Sequence, residues 1–278
     1  MGSADTNRMY MCIDLKSFYA SVECADLGVD PFTTPLVVAD NSRGKGAITL
    51  AISPALKKLG VKNRSRLFQI PSHIEYITVK PHMKRYMQAS AQIYGTLLNY
   101  ISPEDIHVYS IDEYFIDITP YTNLYKKTPR QLAQLLLDAV LDATHIYATV
   151  GIGTNLFLAK IALDILAKHA LDFIGYLDEN LFKEQIWYHQ PITDIWQIGS
   201  GIANRLRKFG AFDLHGITQV PEHKLYKEFG VNAELLIDHA WGRESCTIAD
   251  IHAYRPSKHS LSQSQILLRN YTADEARL

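Results

Sequence analysis

The stretch VYSIDEYFIDIT, from Val108 to Thr119, decides how the whole chain is interpreted. Two β-like runs, Ile106–Ser110 and Tyr114–Ile118, flank a pair of adjacent acids, Asp112 and Glu113. Strand interiors disfavour Asp, and a charge close to an apolar core is costly unless something compensates it. Two interpretations follow, and the pattern leaves both open: a polar hairpin turn, or a site where a cation supplies the compensating charge.

Composition and charge set broad limits. The chain has 278 residues, 47% of them hydrophobic, which is enough for two or three compact units. The net charge of −1 does not indicate a nucleic-acid partner, but the charges are unevenly spread. No acidic residue occurs between Asp40 and Glu75, and seven of the 28 basic residues lie there. This segment is either a phosphate-binding surface or an ordinary solvated basic face.

The cysteines and the chain start bear on location. Three cysteines without a CxxC pair predict neither a disulfide framework nor a zinc site, which favours a reducing, cytoplasmic setting. No apolar run approaches the roughly 18 residues that a membrane span needs. The start, MGSADTNR, lacks the apolar region of a signal peptide. We therefore expect a cytoplasmic protein with no membrane partner.

The order of predicted elements indicates an α+β fold. Arg8–Leu15 is predicted as a buried strand, followed by a helix, an inserted α/β segment and a long helix near 83–100. The two hairpin runs, a helix and a strand come next. Without the insertion this is the β-α-β-β-α-β ferredoxin-like plan. Such a sheet places the end of its first strand beside the tip of its central hairpin, so Asp14 should lie close to Asp112 and Glu113.

After Tyr176 the chain is predicted to form short helices. Residues 192–210, ITDIWQIGSGIANRLRKFG, are predicted to be helical on both sides of Gly199-Ser200-Gly201. This pattern is typical of a helix-hairpin-helix, which holds a DNA phosphate with backbone N–H groups, or of a plain packing corner. The final segment begins as a polar linker, and SQSQILL (Ser262–Leu268) predicts one strand without a partner.

Three converging carboxylates would suit hard divalent cations, because Mg²⁺ prefers oxygen ligands. A pair of such ions about 3.5–4 Å apart can activate an attacking oxygen and stabilise a leaving one. The alternative is that Asp14 caps a strand end and the Asp-Glu pair is a solvated turn. Phe18 and Tyr19 follow Asp14 closely, and they would either pack on a sugar or belong to the core.

Five segments occur in order along the chain: CIDLKSFYASVE, AISPALKKLGVK, YSIDEYFIDIT, VGIGTNLFLAKIALDILAK and IWQIGSGIANRLRKFG. Together, from about Met9 to Trp241, they resemble the Y-family translesion DNA polymerases, specifically the bacterial UmuC-like branch. The resemblance implies a ferredoxin-like palm with a small α/β fingers insertion and a helical thumb containing a helix-hairpin-helix. The implied boundaries are palm 9–17 and 81–174, fingers 18–80, thumb 175–243, and linker with the start of a truncated little finger domain 244–278.

The resemblance also implies roles for individual residues. The palm carboxylates that hold two Mg²⁺ and carry catalysis match Asp14, Asp112 and Glu113, with the backbone carbonyl of Leu15 as a further ligand. The incoming nucleotide would be contacted by Phe18, Tyr19, Lys57 and Lys168, among which Tyr19 is the steric gate that selects deoxynucleotides. The DNA backbone would be gripped at Gly199, Ser200 and Gly201. Asp117 is not assigned to the site.

Three departures from the family pattern stand out. Pro54 occupies a position where many members have a Tyr whose hydroxyl contacts the triphosphate. One more residue separates Lys160 from Lys168 than in some members. Of the little finger domain, only the linker and the predicted strand are expected here, through either a cut chain or a naturally shortened one.

The expected function is template-directed DNA synthesis of the translesion type in DNA damage tolerance. The expected partners are primer–template DNA, an incoming dNTP and, by resemblance, a sliding clamp or recombinase filament. One alternative is a non-catalytic, truncated UmuC-like fragment that binds DNA or regulates. Another is a different palm-fold enzyme such as a nucleotide cyclase, which the predicted duplex-gripping hairpin disfavours.

Overall fold

The computed structural model describes residues 8–256, 260–262 and 271–277. The strands are β1 (Tyr10–Leu15), β2 (Leu36–Val38), β3 (Ala51–Ile52), β4 (Ile77–Val79), β5 (Ile106–Val108), β6 (Glu113–Asp117), β7 (Ala148–Gly153) and β8 (Ile174–Leu177). The helices are α1 (Phe18–Asp26), α2 (Pro54–Lys58), α3 (Met83–Leu97), α4 (Thr119–Leu124), α5 (Pro129–Thr144), α6 (Leu156–Ile161), α7 (Glu179–Gln185), α8 (Ser200–Arg207), α9 (Leu214–Thr218), α10 (Glu222–Phe229), α11 (Asn232–Ala240) and α12 (Ile248–Ala253). The strand predicted at Ser262–Leu268, near the C-terminal end of the chain, lies outside the described residues except for Ser262.

The main sheet has the strand order β5-β6-β1-β7-β8. Strand β1 lies in the middle and runs antiparallel to both β6 and β7. The first four strands in this order reproduce the predicted ferredoxin-like plan, so the α+β prediction is confirmed. Strand β8, parallel to β7, is an addition that the sequence pattern did not predict, and it crosses the boundary expected between palm and thumb at 174/175.

Both faces of β1 are covered, because its side chains alternate between two cores. Met11, Ile13 and Leu15 pack with the long helices α3 and α5 in the larger core. Tyr10 and Cys12 face the opposite way and pack against α6 and α12. Helix α5 begins with the predicted capping box, in which the Thr128 hydroxyl accepts from the backbone N–H of residue 131.

The inserted segment forms a second, smaller sheet with the order β3-β2-β4. Helix α2 packs beside it and begins as predicted, with Ser53 as N-cap and Pro54 in the first turn. Helix α1, by contrast, packs into the core of the main sheet through Phe18, Val22 and Cys24. The basic segment therefore belongs to a small layer beside the end of β1.

Helices α7 to α11 form a third part that shares a core with α6. The ring of Phe157 in α6 lies 5.8 Å from that of Phe182 and stacks on His239 at 4.0 Å. Where a helix-hairpin-helix is predicted, the structure has a short 3₁₀ turn, Ile192–Asp194, followed by α8. No helix in the described part of the chain is long and apolar enough to cross a membrane.

Candidate active site

The prediction that the three acids lie close together is confirmed. They meet where β1 ends and β6 begins, at the end of the main sheet that we call the sheet edge. Asp14, at the end of β1, pairs directly across from Glu113, the first residue of β6. The backbone N–H of Leu15 donates to the carbonyl oxygen of Asp112 at 3.0 Å. Residues about a hundred positions apart in sequence thus become neighbours, because β1 and β6 are adjacent antiparallel strands.

The hairpin tip is closed by its own backbone. The N–H groups of Tyr109 and Ser110 both donate to the carbonyl oxygen of Glu113, at 3.0 and 3.1 Å. The Ser110 hydroxyl donates to a carboxylate oxygen of Asp112 at 2.7 Å. The hairpin interpretation of the opening stretch is therefore confirmed, and the hairpin tip presents two carboxylates at the end of the sheet.

A large cleft opens between this edge and the smaller sheet, with a volume of about 1390 Å³. Asp14, Leu15 and Asp112 line it on the side of the main sheet. The residues that line it from α1 and the basic segment include Phe18, Tyr19, Arg43, Lys57, Arg64 and Arg66. The unopposed basic segment is therefore one wall of a cleft whose other wall carries acids.

Two lysines from the helix that covers this sheet face pair with the acids. Lys160 Nζ lies 2.5 Å from Glu113 Oε1 and 3.0 Å from Asp164 Oδ2. Lys168 Nζ lies 2.7 Å from Asp164 Oδ1 and 3.4 Å from Asp14 Oδ2. The result is a row of alternating charge, Glu113–Lys160–Asp164–Lys168–Asp14, which we call the charge row.

The helix that carries Lys160, Asp164 and Lys168 is irregular. Helix α6 continues into a π turn, Ala162–Leu166, and ends in a 3₁₀ turn, Ala167–His169. A π turn holds one more residue than an α turn and is frequent at functional sites. This π turn lies between Lys160 and Lys168, an interval one residue longer than in some members of the family that the sequence resembles. Beyond the turn, the Lys168 ammonium pairs with Asp14.

The surroundings change the proton affinity of two groups at this edge. Burial raises the pKa of Asp14 to about 6; the Lys168 charge lowers this pKa, whereas the negative charges of Glu113 and Asp112 raise it further. Burial also raises the pKa of the Cys12 thiol well above its usual value. Cys12 therefore stays protonated and donates to Glu113 Oε1 at 3.1 Å.

The donor set fits a hard divalent cation in its chemistry. Carboxylate and carbonyl oxygens are the ligands that Mg²⁺ accepts, and a bound cation would favour the charged form of Asp14, which burial disfavours. As the side chains stand, no group of three or more His, Cys, Asp or Glu residues within the described ranges is gathered to hold a metal. Asp14 and Glu113 are paired with lysines instead.

The residues predicted to contact a nucleotide occupy different environments. Tyr19 stacks on Tyr86, with ring centroids 4.4 Å apart and an interplanar angle of 18°. The Tyr86 hydroxyl in turn donates to Glu23 Oε1 at 2.5 Å, and this hydrogen bond fixes the Tyr86 ring. Phe18 is buried in the main core although it touches the cleft. Lys57, at the C-terminal end of α2, points to the cleft near Asp14. Burial lowers the pKa of the Lys57 ammonium, and the negative charge of Asp14 raises it.

The predicted DNA-contacting residues lie apart from the acids. Gly199 is the N-cap of α8, and Ser200 and Gly201 form its exposed first turn. Asp117 accepts from the Thr119 N–H at 2.9 Å, so it terminates β6 and takes no part in the charge row. Among the residues of the row, Lys160 and Asp164 were not predicted. Their signal was available: Lys160, Asp164 and Lys168 recur at intervals of four, typical of one helix face.

Comparisons with known proteins agree with this arrangement. The sequence profile of the impB/mucB/samB family (IMS) matches residues 13–164, more than half of the chain. The putative UV-damage repair protein UvrX of Bacillus subtilis (strain 168) is 34% identical over 267 residues, covering 95% of this chain and 62% of the relative. DNA polymerase IV 2 of the same organism is 33% identical over 232 residues, covering 82% of this chain and 55% of that protein.

A solved structure adds to the likeness. The Y-family DNA polymerase chimera of Dbh and Dpo4 superposes with a TM-score of 0.73 at 26% identity, covering 86% of this chain and 69% of the chimera. The chain spans less than two thirds of the length of UvrX and of DNA polymerase IV 2.

Proposed function

The chain belongs to the impB/mucB/samB family, and on this premise we propose that it is the catalytic part of a translesion-type DNA polymerase. The proposed reaction is template-directed addition of a deoxynucleotide to a primer 3′-hydroxyl during tolerance or repair of DNA damage. The observation that carries the proposal is the register of β1 and β6, which sets Asp14 opposite Glu113 and beside Asp112 at the mouth of a basic cleft.

The acids are proposed to hold two Mg²⁺ ions. Asp14, Asp112 and Glu113 would supply carboxylate oxygens, and Leu15 a backbone carbonyl. When bound, such a pair activates the attacking hydroxyl and stabilises the pyrophosphate leaving group. Because Lys160 and Cys12 hold the Glu113 carboxylate from the protein side, its orientation is set before any ligand arrives.

The nucleotide is proposed to lie in the cleft between the two sheets. Lys57 and Lys168 approach Asp14 from opposite walls, so a triphosphate between them would be held by two positive charges. Tyr19, rigid on its Tyr86 support, is proposed to crowd a ribose 2′-hydroxyl and so select deoxynucleotides. Phe18 is proposed to lie beneath the sugar beside it.

The division into palm, fingers, thumb and linker is proposed to apply, with α1 packed on the palm and β8 added to the palm sheet. Duplex DNA would cross the palm and contact the exposed start of α8 at Gly199, Ser200 and Gly201. A helix N-terminus suits a phosphate, since its free N–H groups point outwards. A sliding clamp or recombinase filament is proposed as a further partner on family grounds only.

A second candidate function is a DNA-binding or regulatory fragment without polymerase activity. It is favoured by the charge row, in which Glu113 and Asp14 are paired with Lys160 and Lys168 and no metal-binding group is gathered among the described residues. In this case the cleft and the start of α8 would still bind primer–template DNA. No nucleotide would be incorporated even by a version of the protein extended to the relatives' length.

The test is primer extension on a primer–template with Mg²⁺ and dNTPs, using the chain and an extended version. We expect Asp112→Ala to lower incorporation at least a hundredfold, because the acid at the hairpin tip is lost. The matched control is Asp117→Asn, another acid of the same hairpin that only caps a strand end. Equal activity of wild type and Asp112→Ala would refute the catalytic assignment. DNA binding without incorporation in both versions would establish the second candidate.

A further inference from the structure

Lys16 occupies a fixed position beside the charge row, and none of the roles described above uses it. It follows β1 directly, and its backbone N–H donates to the carbonyl oxygen of Tyr147 at 2.8 Å. Its own carbonyl oxygen accepts from the Ser21 hydroxyl at 2.5 Å. Because side chains alternate along a strand, Lys16 continues the face of the sheet on which Asp14 lies.

The side chain of Lys16 rests on an aromatic platform. Its ammonium lies 4.4 Å from the ring centroid of Phe173, a cation–π distance. Phe173 has a φ of 61°, a left-handed conformation that is a true outlier for a bulky residue and that concentrates at functional sites. Phe32 stacks on the same ring at 6.1 Å and also contacts Tyr147 at 4.8 Å.

The charges around Lys16 are mostly positive. Burial lowers the pKa of its ammonium, Asp14 raises it, and the nearby positive charges of Lys57 and Lys168 lower it. No ion pair joins Lys16 to a carboxylate within the ranges that the structure describes. Lys160 and Lys168 are paired with the acids of the charge row. Lys16 and Lys57 also lie near Asp14, and among the described residues neither of them forms an ion pair.

The family pattern leaves one triphosphate contact unfilled in this chain. Pro54 has no hydroxyl and, at the first turn of α2, no backbone N–H to offer in its place. A triphosphate carries several negative charges, and each one taken from water needs a donor or a cation. Lys16 is close enough to Asp14, Lys57 and Lys168 for their charges to act on its ammonium, so the three lysines converge beside Asp14.

We propose that Lys16 is a third lysine contact for the triphosphate of the incoming nucleotide, replacing the hydroxyl that is missing at Pro54. The inference rests on the proposed polymerase function and deepens it. The aromatic platform holds the ammonium at the sheet edge without neutralising it, since an aromatic ring attracts a cation but carries no net charge. A triphosphate would then supply the ion-pair partner that no carboxylate of the described chain supplies.

The first experiment measures binding and needs no catalysis. The chain is bound to a primer–template with a dideoxy-terminated primer in Mg²⁺, and dATP or dAMP is titrated in by calorimetry. We expect Lys16→Gln to raise the Kd for dATP about tenfold and to leave the Kd for dAMP within twofold. Lys16→Arg should bind dATP within threefold of wild type. The matched control is Lys84→Gln, an exposed lysine on α3.

The results separate the inference from its premise. An unchanged Kd for dATP in Lys16→Gln, or an equal loss for dATP and dAMP, would overturn the role of Lys16 alone. Failure of the wild type to bind dATP would overturn the proposed function together with it. Thermal unfolding of each variant identifies losses that come from misfolding. In primer extension, the KM for dNTP should rise about tenfold in Lys16→Gln while kcat stays within twofold.

Discussion

Asp14 provides the sharpest test of the electrostatics at the sheet edge, because its ionisation opposes folding when no metal is present. Its pKa is raised from 3.8 to about 6, first by burial and then by the charges of Glu113 and Asp112, against the opposing effect of Lys168. The folded protein thus holds a proton on Asp14 at a pH where the unfolded chain has released it. Replacing Asp14 by Asn removes the ionisation while keeping nearly the same shape.

The sign and size follow from linkage. Because folding raises the pKa of Asp14, its ionisation costs no stability below about pH 4 and the full amount above about pH 6. Each pKa unit corresponds to about 1.36 kcal/mol, so the two-unit shift costs roughly 3 kcal/mol at pH 8 and about 1.6 kcal/mol at pH 5. Asp14→Asn should therefore raise the free energy of unfolding, and raise it more at pH 8 than at pH 5.

The assay is urea unfolding of wild type and Asp14→Asn in EDTA at pH 5, 6, 7 and 8, with thermal unfolding in parallel. A gain of roughly 3 kcal/mol corresponds to about 6 °C in Tm for a chain of this size. The control is Asp138→Asn, the same substitution at an exposed aspartate in the middle of α5. Mg²⁺ should stabilise the wild type and have little effect on Asp14→Asn.

Two outcomes would refute this reasoning about Asp14. One is an Asp14→Asn variant less stable than wild type at pH 8, which would mean that the pair with Lys168 outweighs the cost of burial. The other is a difference between the two proteins that stays constant from pH 5 to 8. In that case the carboxylate would titrate with the same pKa in the folded and unfolded chains.

Two further predictions concern the cleft and the helix behind it. Tyr19→Ala should raise the ratio of ribonucleotide to deoxynucleotide incorporation at least tenfold, because the ring supported by Tyr86 would no longer occupy the space of a 2′-hydroxyl; unchanged sugar selectivity would contradict the gate. Deleting Ile165 should convert the π turn to an α turn, leave Lys168 near Asp14 and keep nucleotide affinity within threefold. The control is deletion of Ala159 from the regular part of α6, which should unfold the protein. Equal damage by both deletions would contradict the prediction.

Much of the fold could be predicted because local patterns agree with the topology. A short apolar run predicted β1 as a buried strand, the capping box at Thr128 predicted the start of α5, and the ferredoxin-like order then fixed which strands are neighbours. From that order alone, Asp14 was expected beside Asp112 and Glu113. The prediction needed no side-chain detail, since antiparallel pairing of two strands determines which of their ends meet.

Other features could not be predicted because they depend on contacts distant in sequence. Strand β8 has only four residues, and its identity as a strand comes from pairing with β7. The π turn depends on one residue that has no sequence signature of its own. The Phe173 platform depends on a left-handed residue for which neither glycine nor asparagine signals the conformation. All three features lie within residues 162–177.

The charge row changes how the two acids of VYSIDEYFIDIT are explained. Compensation is already present in the protein: Lys160 serves Glu113, and Lys168 serves Asp14. These lysines differ in freedom, because the side chain of Lys160 is 8% exposed and that of Lys168 is 41% exposed. Lys160 therefore stays with Glu113 as a fixed support, whereas Lys168 can turn from Asp14 to a phosphate at little cost. A cation entering the site would meet its weakest competition at Asp14, so we expect ligands to open the charge row at that end.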